Sequence, residues 1–266
     1  MTTALITGAT SGIGAEFAAQ LAARGDDLVL VARDESRLTE TAAALRKAHG
    51  IDVEVLPADL NVREQTLRVA ARIEDAEHPI DLVVNNAGFG LHSRLLDEDL
   101  MVETDRALEV MLSSVIVLSG AAARAMSRRG QGSIINVSST AGFITQGTYS
   151  AIKGAVTIYT ESLAVELAGS GVNVTVLCPG WVRTEFHERA DLGVSKIPSA
   201  AWVPKERLVA ECLADAEHGL VFSIPMRRWK IAIWLARVAP RWAIHRVSAK
   251  IRSGRKAHER RVTGQG

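Results

Sequence analysis

The stretch 3-TALITGATSGIG-14 carries a short aliphatic and β-branched run into a loop with glycines at positions 8, 12 and 14, and a helical pattern follows at once. A strand that turns through glycines into a helix N-terminus is built to hold a phosphate. Gly8 permits the tight turn, Gly12 lets backbone approach a pyrophosphate, and the first helical amides offer N–H groups with a partial positive charge. Thr10, Ser11, Ile13 and Gly14 complete the loop's candidate contact surface. A glycine turn can also be purely structural, but its place after the first strand of a β-α pattern favours dinucleotide binding.

Outward from this loop the same alternation recurs. The segments 27-DLVLVA-32, 52-DVEVLPA-58, 81-DLVVNN-86, 132-GSIINVSS-139 and 172-VNVTVLCP-179 are short and largely apolar. Helical patterns separate them, among them 13–25, 34–50, 104–130 and 148–171, and several end in glycine. Strands buried on both faces and alternating with helices define β-α-β units. With right-handed crossovers they predict an α/β fold: a single Rossmann-like, doubly wound parallel sheet with helices on both faces.

At 266 residues, with 47% hydrophobic and 23% charged side chains, the chain suits one globular unit with a substantial core. Two cysteines, Cys178 and Cys212, are too few for a disulfide framework and point to the cytoplasm. The first residues enter a strand with no charged region and no apolar leader before it, so secretion is not expected. No uncharged apolar run reaches membrane-spanning length, and no transmembrane helix is expected. The net charge of +1 conceals an asymmetry: residues 226–266 hold twelve Lys and Arg against one acid, a net of +11, which leaves −10 for residues 1–225. The expected division is a dinucleotide-binding and catalytic domain over 1–225 and a basic amphipathic helical extension over 226–266.

In 147-GTYSAIKGAV-156, Tyr149 and Lys153 lie four residues apart, which places them on one face of a helix. Alone, that spacing is common and fits a satisfied pair at a helix edge. It gains meaning from company: 7-TGATSGIG-14, 85-NNAG-88, 138-SS-139, 149-YSAIK-153 and 179-PGWVRT-184 occur in this order. Over residues 3–225 the sequence resembles the short-chain dehydrogenase/reductase family; the residues beyond share none of these motifs.

The resemblance implies roles. Tyr149 would be the general acid or base, and Lys153 would lower its pKa and hydrogen-bond the nicotinamide ribose. The physics agrees, since a phenol near pKa 10 is no base at neutral pH unless nearby positive charge favours the phenolate. Ser139 aligns with the serine that polarises the substrate carbonyl; Ser138, its competitor, reads as a strand-end or capping hydroxyl. Asp59, with Leu60, resembles an adenine contact, although Asp59 also reads as a charge at a helix start. Asn85, Asn86, Ala87 and Gly88 resemble the adenine-ribose wall and the sheet's central support. Pro179, Gly180, Val182 and Thr184 resemble the lip over the nicotinamide.

Two departures stand out. The segment between Ser139 and Tyr149 is shorter than the family's habit, which alters the loop 143-FITQGT-148 that lines the substrate pocket. Met111 falls where the family places an asparagine that supports a proton-relay water. The relay is then either rerouted through Ser113 or Ser114 or absent, and these serines read more simply as residues tolerated inside a helix.

An acid at the end of the second strand bonds the ribose 2′-hydroxyl of NAD, whereas an arginine accommodates the 2′-phosphate of NADP. Here Ala32 stands in the acid's place and Arg33 follows, a planar donor fork suited to a phosphate dianion. NADP(H) is therefore favoured over NAD(H), although Asp34 weakens the local field and Arg33 could be a solvated loop residue.

Candidate substrate-pocket residues are Phe89, Leu91, His92, Phe143, Ile144 and Gln146, joined by Trp181, Phe186 and Trp202 near the lip. Most are apolar, so the expected activity interconverts a hydrophobic carbonyl compound and its alcohol. His92 and His187 lack a third ligand at sensible spacing, and no metal is expected. The competing reading is a non-catalytic dinucleotide sensor or scaffold, with Met111 as a sign of decay; retention of Ser139, Tyr149 and Lys153 together argues against it. A homo-oligomer packed through the long helices follows the family's habit.

The segment 226–261 stands apart. Ile231, Trp234, Leu235 and Val238 fall at i, i+3, i+4 and i+7, Pro240 divides one helix from the next, and Trp242, Val247 and Ile251 extend the apolar surface. Trp229, Trp234 and Trp242 lie among the twelve cations. Three readings compete: the stripe packs on the acidic body as a lid or subunit contact, it lies in an anionic membrane surface, or it binds nucleic acid. Nucleic acid is the weakest, because no other part of the chain extends a basic face. Reversible, salt-sensitive binding to anionic vesicles, lost on truncation after Pro225, is expected, with a peripheral position on the inner face of the membrane.

Overall fold

The structure is a computed structural model, and it describes residues 2–91, 100–182 and 202–249. His92, Thr184, Phe186, His187 and Ile251 lie outside the described residues.

Seven strands form one parallel sheet. In chain order its members are β1 (Thr3–Thr7), β2 (Asp27–Ala32), β3 (Val53–Pro57), β4 (Leu82–Asn85), β5 (Gly132–Val137), β6 (Val172–Leu177) and, last, β9 (Phe222–Ser223). In space they run β3-β2-β1-β4-β5-β6-β9. The chain winds outward from β1 to β2 and β3, then crosses back to β4 on the other side of β1. The reversal between β1 and β4 opens a crevice at the carboxyl ends of these strands, where a doubly wound sheet places its ligand. A two-stranded pair, β7 (Trp181–Val182) with β8 (Trp202–Val203), lies apart from the main sheet.

The period of two along each strand sorts side chains onto two cores. Ile6, Leu28 and Leu30 face the layer of α1 (Gly12–Ala23), α2 (Glu35–His49) and α7 (Lys205–Glu217), where Phe17, Leu38 and Leu208 are fully buried. Leu5, Val29 and Val31 face the opposite layer of α3 (Arg63–Glu74), α5 (Ser114–Arg129) and α6 (Thr148–Glu166), with Ile73, Leu118 and Met126. Local signals place the helix ends. Asp34 caps α2 by accepting from the Arg37 amide at 3.0 Å, and Gly50 (φ 68°) and Gly130 (φ 73°) end α2 and α5 in the left-handed region.

The helix α4 (Leu100–Leu108) runs through a π turn, Glu109–Ser113, into α5. This run is long and apolar enough to cross a membrane by composition, over Met101–Arg129. It is instead a core helix: Ala107, Met111, Leu118 and Met126 along its inner side are fully buried against the sheet. The wide π turn shifts the register where Met111 meets the β4 loop, with its Sδ 3.3 Å from where a Gly88 Cβ would stand.

Beyond β9 the chain forms α8 (Arg227–Val238) and a further helical run over residues 241–249, divided at Pro240 as the sequence predicts. The face turned to the body is not the stripe that the sequence singles out. Ile233 joins a small core with Val176, Cys178, Phe143 and Phe222, and Trp229 packs against the main core, while Ile231, Trp234, Leu235 and Val238 remain exposed. The physical reason lies in shape. Gly180 leaves a gap that the Trp229 indole fills so closely that a Cβ there would sit 2.2 Å from Trp229 Cε2, and this contact fixes the helix's rotation.

Candidate active site

The glycine loop closes by a hydrogen bond from the Gly8 amide to the Val31 carbonyl at 2.8 Å, with Gly8 at φ 67° and Gly12 at φ 57°. Gly14 shows why no side chain is admitted: its Cβ would stand 2.2 Å from the Gly8 carbonyl oxygen. The loop is fastened from beneath, because Asn86 Nδ2 donates to the Thr7 carbonyl at 2.9 Å and Thr7 Oγ1 accepts from the Asn86 and Ala87 amides at 2.9 and 3.0 Å. The first turn of α1 contains no acid. Its free amides therefore face an electropositive mouth suited to an anion.

These residues open onto one cavity of about 1010 Å³. Gly8, Thr10, Ser11, Gly12 and Ile13 line one end with Arg33, Asp59 and Leu60; Asn86, Ala87 and Gly88 form a side wall. Asn85 does not reach it. It is buried in a polar cluster, donating to Ser119 Oγ at 3.0 Å and Asn136 Oδ1 at 2.9 Å, while Asn136 donates to Thr160 Oγ1 at 3.1 Å. Asn85 is thus the sheet's support, and the wall begins at Asn86. Asp59 sits before α3 rather than in its first turn and accepts from the Asn61 amide at 3.0 Å.

Ser139, Tyr149 and Lys153 meet at the far end of the same cavity. The chain leaves β5 through Ser138, whose hydroxyl donates to the Lys153 carbonyl at 2.7 Å and pairs with Thr157 Oγ1 at 2.7 Å, the structural role expected of it. Ser139 then caps a short turn, Thr140–Phe143, accepting from the Ala141 amide at 3.1 Å. Gly142 and Gly154 let this turn lie directly on α6: a Cβ on Gly142 would stand 3.0 Å from the Gly154 nitrogen. The close approach brings Ser139 into hydrogen bonding with the Tyr149 phenol.

Burial pushes the Tyr149 phenol up to about 12, against the opposing hydrogen bond from Ser139. Burial also pulls Lys153 down to about 8. The ammonium donates to the Val137 carbonyl at 2.9 Å and stands 5.9 Å from the Tyr149 ring centroid. Desolvation by burial is the larger influence on the phenol, and the Ser139 hydrogen bond, not Lys153, is what opposes it in the protein alone.

Pro179, Gly180, Val182 and Trp181 form the lip, and Phe89, Leu91, Phe143, Ile144 and Gln146 line the pocket as expected. Trp202 does not. It is buried behind Trp181 in an edge-to-face pair with centroids 6.3 Å apart, and so supports the lip from outside the cavity. Ser113 accepts from Arg63 at 3.0 Å and Ser114 donates to the Val110 carbonyl at 2.7 Å, the backbone contact common for a serine inside a helix. The described residues contain no group of metal-binding side chains.

Three contributors escaped the sequence reading. Arg37 reaches back from α2 to the Thr10 carbonyl at 3.3 Å and lines the cavity beside Arg33. Its signal, a second arginine four residues on, is hidden in an ordinary amphipathic helix. Arg106 stacks over the Phe89 ring at 4.9 Å. Trp229, Ile233, Ala236 and Ile244 of the extension form an entire wall, which no motif announces.

The sheet's switch point, the glycine cradle and the Ser139, Tyr149 and Lys153 cluster together define a nicotinamide-dinucleotide oxidoreductase acting between alcohol and carbonyl. The chain belongs to the short-chain dehydrogenase family, whose model matches residues 2–193. It is 40% identical over 195 residues, 70% of each chain, to a putative ketoacyl reductase of the granaticin polyketide synthase of Streptomyces violaceoruber. Among solved structures it resembles a short-chain dehydrogenase from Sphingobium yanoikuyae in complex with NADPH, at 32% identity and TM-score 0.81 over 89% of this chain and 94% of that one. It also resembles a bulky-bulky ketone specific alcohol dehydrogenase from Comamonas testosteroni, at 29% identity and TM-score 0.77 over 89% and 92%.

The tightness of the cradle is testable. Gly14→Ala forces backbone apart at a 2.2 Å contact, and overpacking of this kind costs about 1–3 kcal/mol. Thermal unfolding should move to lower temperature and NADPH affinity, read by fluorescence titration, should fall at least about tenfold. Unchanged affinity would show that this approach does not shape the binding loop.

Proposed function

We infer that the chain is an NADP(H)-dependent oxidoreductase interconverting an apolar ketone or aldehyde and its alcohol, with Tyr149 as general acid and base. The observation that carries this reading is the single cavity: its cradle, Arg33 and Arg37 stand at one end, and Ser139, Tyr149 and Lys153 at the other. The loop residues Gly8 to Gly14 would hold the pyrophosphate, Asp59, Leu60 and Asn86 to Gly88 the adenosine side, and Lys153 with Pro179, Gly180, Val182 and Thr184 the nicotinamide side. Bound there, the dinucleotide supplies or accepts the hydride. Ser139 donates to the carbonyl oxygen and Tyr149 delivers the proton in reduction or accepts it in oxidation.

The NADPH of the Sphingobium relative and the two arginines support NADP(H). Arg33→Ala should lower kcat/KM for NADPH at least about tenfold while leaving NADH little changed, the loss expected of a charge-assisted phosphate contact. A wild-type kcat/KM favouring NADH would reverse the assignment. The bulky ketones of the Comamonas relative accord with a large pocket walled by Phe89, Phe143, Trp181 and Ile244. An NADPH-depletion screen across carbonyl compounds of graded size, repeated with NADP⁺ and alcohols, tests the reading. Tight NADPH binding without consumption across the panel would favour the sensor or scaffold.

The exposed Ile116 of α5 and Ile158 and Val165 of α6 support self-association through the long helices. A cytoplasmic setting accords with two buried, unpaired thiols. The extension from residue 226 belongs functionally to the substrate side of the pocket.

A further inference from the structure

We propose that the outward face of the C-terminal helices docks on an anionic lipid surface, with the apolar side of the cavity opening beside it. The dock depends on the proposed function only for the class of substrate it would deliver, a membrane-dissolved carbonyl compound or alcohol.

The extension is seated on the body by one narrow face, with Trp229 over Gly180 and Ile233 and Ile244 buried. That seat leaves a second apolar face exposed among the described residues: Ile231, Trp234, Leu235, Val238, Trp242 and Val247 are each between 51% and 61% exposed. An outward row of this size, with two tryptophans, is far from the polar face a helix ordinarily turns to water.

Charge chooses the occupant. Arg227 and Lys230 precede Ile231 and Trp234 by one turn, Arg241 adjoins Trp242, and Arg246 stacks on the Trp242 ring at 5.2 Å. Residues 226–249 contain no acid at all. Aromatic and aliphatic side chains bordered by cations alone along their own helices, with only Glu161 of the body paired to Arg237, match the boundary of an anionic bilayer, where rings sit at headgroup depth and arginines meet phosphate. A second copy of the chain would bring the same cations face to face. Leu235 and Val247 then connect surface to site, for both are half exposed on this row and both line the cavity.

Truncation would test this badly, since it removes Trp229 and Ile233 from the cavity wall. Ile231→Ser/Trp234→Ser/Val238→Ser alters only side chains outside that wall. Full-length protein should sediment with vesicles of phosphatidylcholine and phosphatidylglycerol, weakly with phosphatidylcholine alone, and less as salt rises. The triple variant should lose at least about tenfold in partitioning, with NADPH titration and circular dichroism unchanged. Arg227→Gln/Lys230→Gln/Arg241→Gln should lose binding to the anionic vesicles with the same two readouts preserved. Equal sedimentation of wild type and triple variant, or no wild-type binding to anionic vesicles at low salt, would overturn the dock. So would a wild-type dimer, seen by sedimentation velocity, that the triple variant dissolves, because a second copy would then cover the face. None of these measurements requires turnover, so failure of the lipid dock and failure of the catalytic reading are separate results.

Discussion

Replacing Tyr149 by phenylalanine should lower kcat roughly 10²- to 10⁴-fold, the range of a lost general acid or base, while NADPH affinity stays within about twofold. The expectation rests on position and protonation. The phenol lies against Ser139 at the end of the cavity, and burial holds its pKa up to about 12, so the proton is present throughout the neutral range for delivery to a carbonyl oxygen. Oxidation needs the opposite form, and the protein alone disfavours it; positive charge must bring the phenol down. Reduction by the wild-type enzyme should therefore show no loss from Tyr149 near neutrality, whereas oxidation of the alcohol should climb with pH. Turnover near the wild-type rate in the phenylalanine variant would remove Tyr149 from the mechanism.

Lys153→Met should act in opposite directions on activity and stability. Lys153 is 5% exposed and its pKa falls from 10.5 to about 8, so the folded protein carries a buried cation at neutral pH at a cost of about 3 kcal/mol. Between about pH 8 and 10.5 the unfolded chain binds the extra proton, and stability rises with pH across that window. Methionine abolishes the penalty and forfeits the hydrogen bond to Val137, worth about 1 kcal/mol. The variant should gain about 2 kcal/mol in denaturant unfolding at neutral pH, and its stability should no longer rise over that window. Its kcat/KM should fall by at least about 10²-fold, and the wild-type decline in reduction above about pH 8, where the ammonium loses its proton, should vanish. A variant less stable than wild type at neutral pH would overturn this balance and show that the contacts of Lys153 outweigh the cost of burying its charge.

How much of this was legible differs from one element to the next. The six longer strands, β1 to β6, could be read to within two residues, because each is a short apolar run bounded by polar or glycine turns, as 27-DLVLVA-32 shows against β2, whereas the two-residue strands β7, β8 and β9 are too short to carry such a pattern. The pairing of Tyr149 with Lys153 needed only helical spacing. Arg37 was overlooked because a helix N-terminal arginine looks solvated until the turn of the chain brings the glycine loop beneath it. Trp202 was misplaced because proximity to the lip in sequence does not say which side of Trp181 an indole will occupy.

The extension marks the boundary most clearly. Composition alone set its basic charge, its amphipathic helices and their break at Pro240, because these depend on residues a few positions apart. The period of Ile231, Trp234, Leu235 and Val238 could not say whether that row faces core or water. A helix with apolar side chains on two sides has two possible seats, and the difference between them is decided by the surface it meets. Here the gap over Gly180 admits the Trp229 indole and turns the row outward. Sequence thus determined the fold and the cradle by local pattern, and the order of its motifs singled out Ser139, Tyr149 and Lys153. Only the tertiary structure decided that the extension walls the cavity with one face and leaves the other exposed, because that choice depends on packing between segments that are distant along the chain.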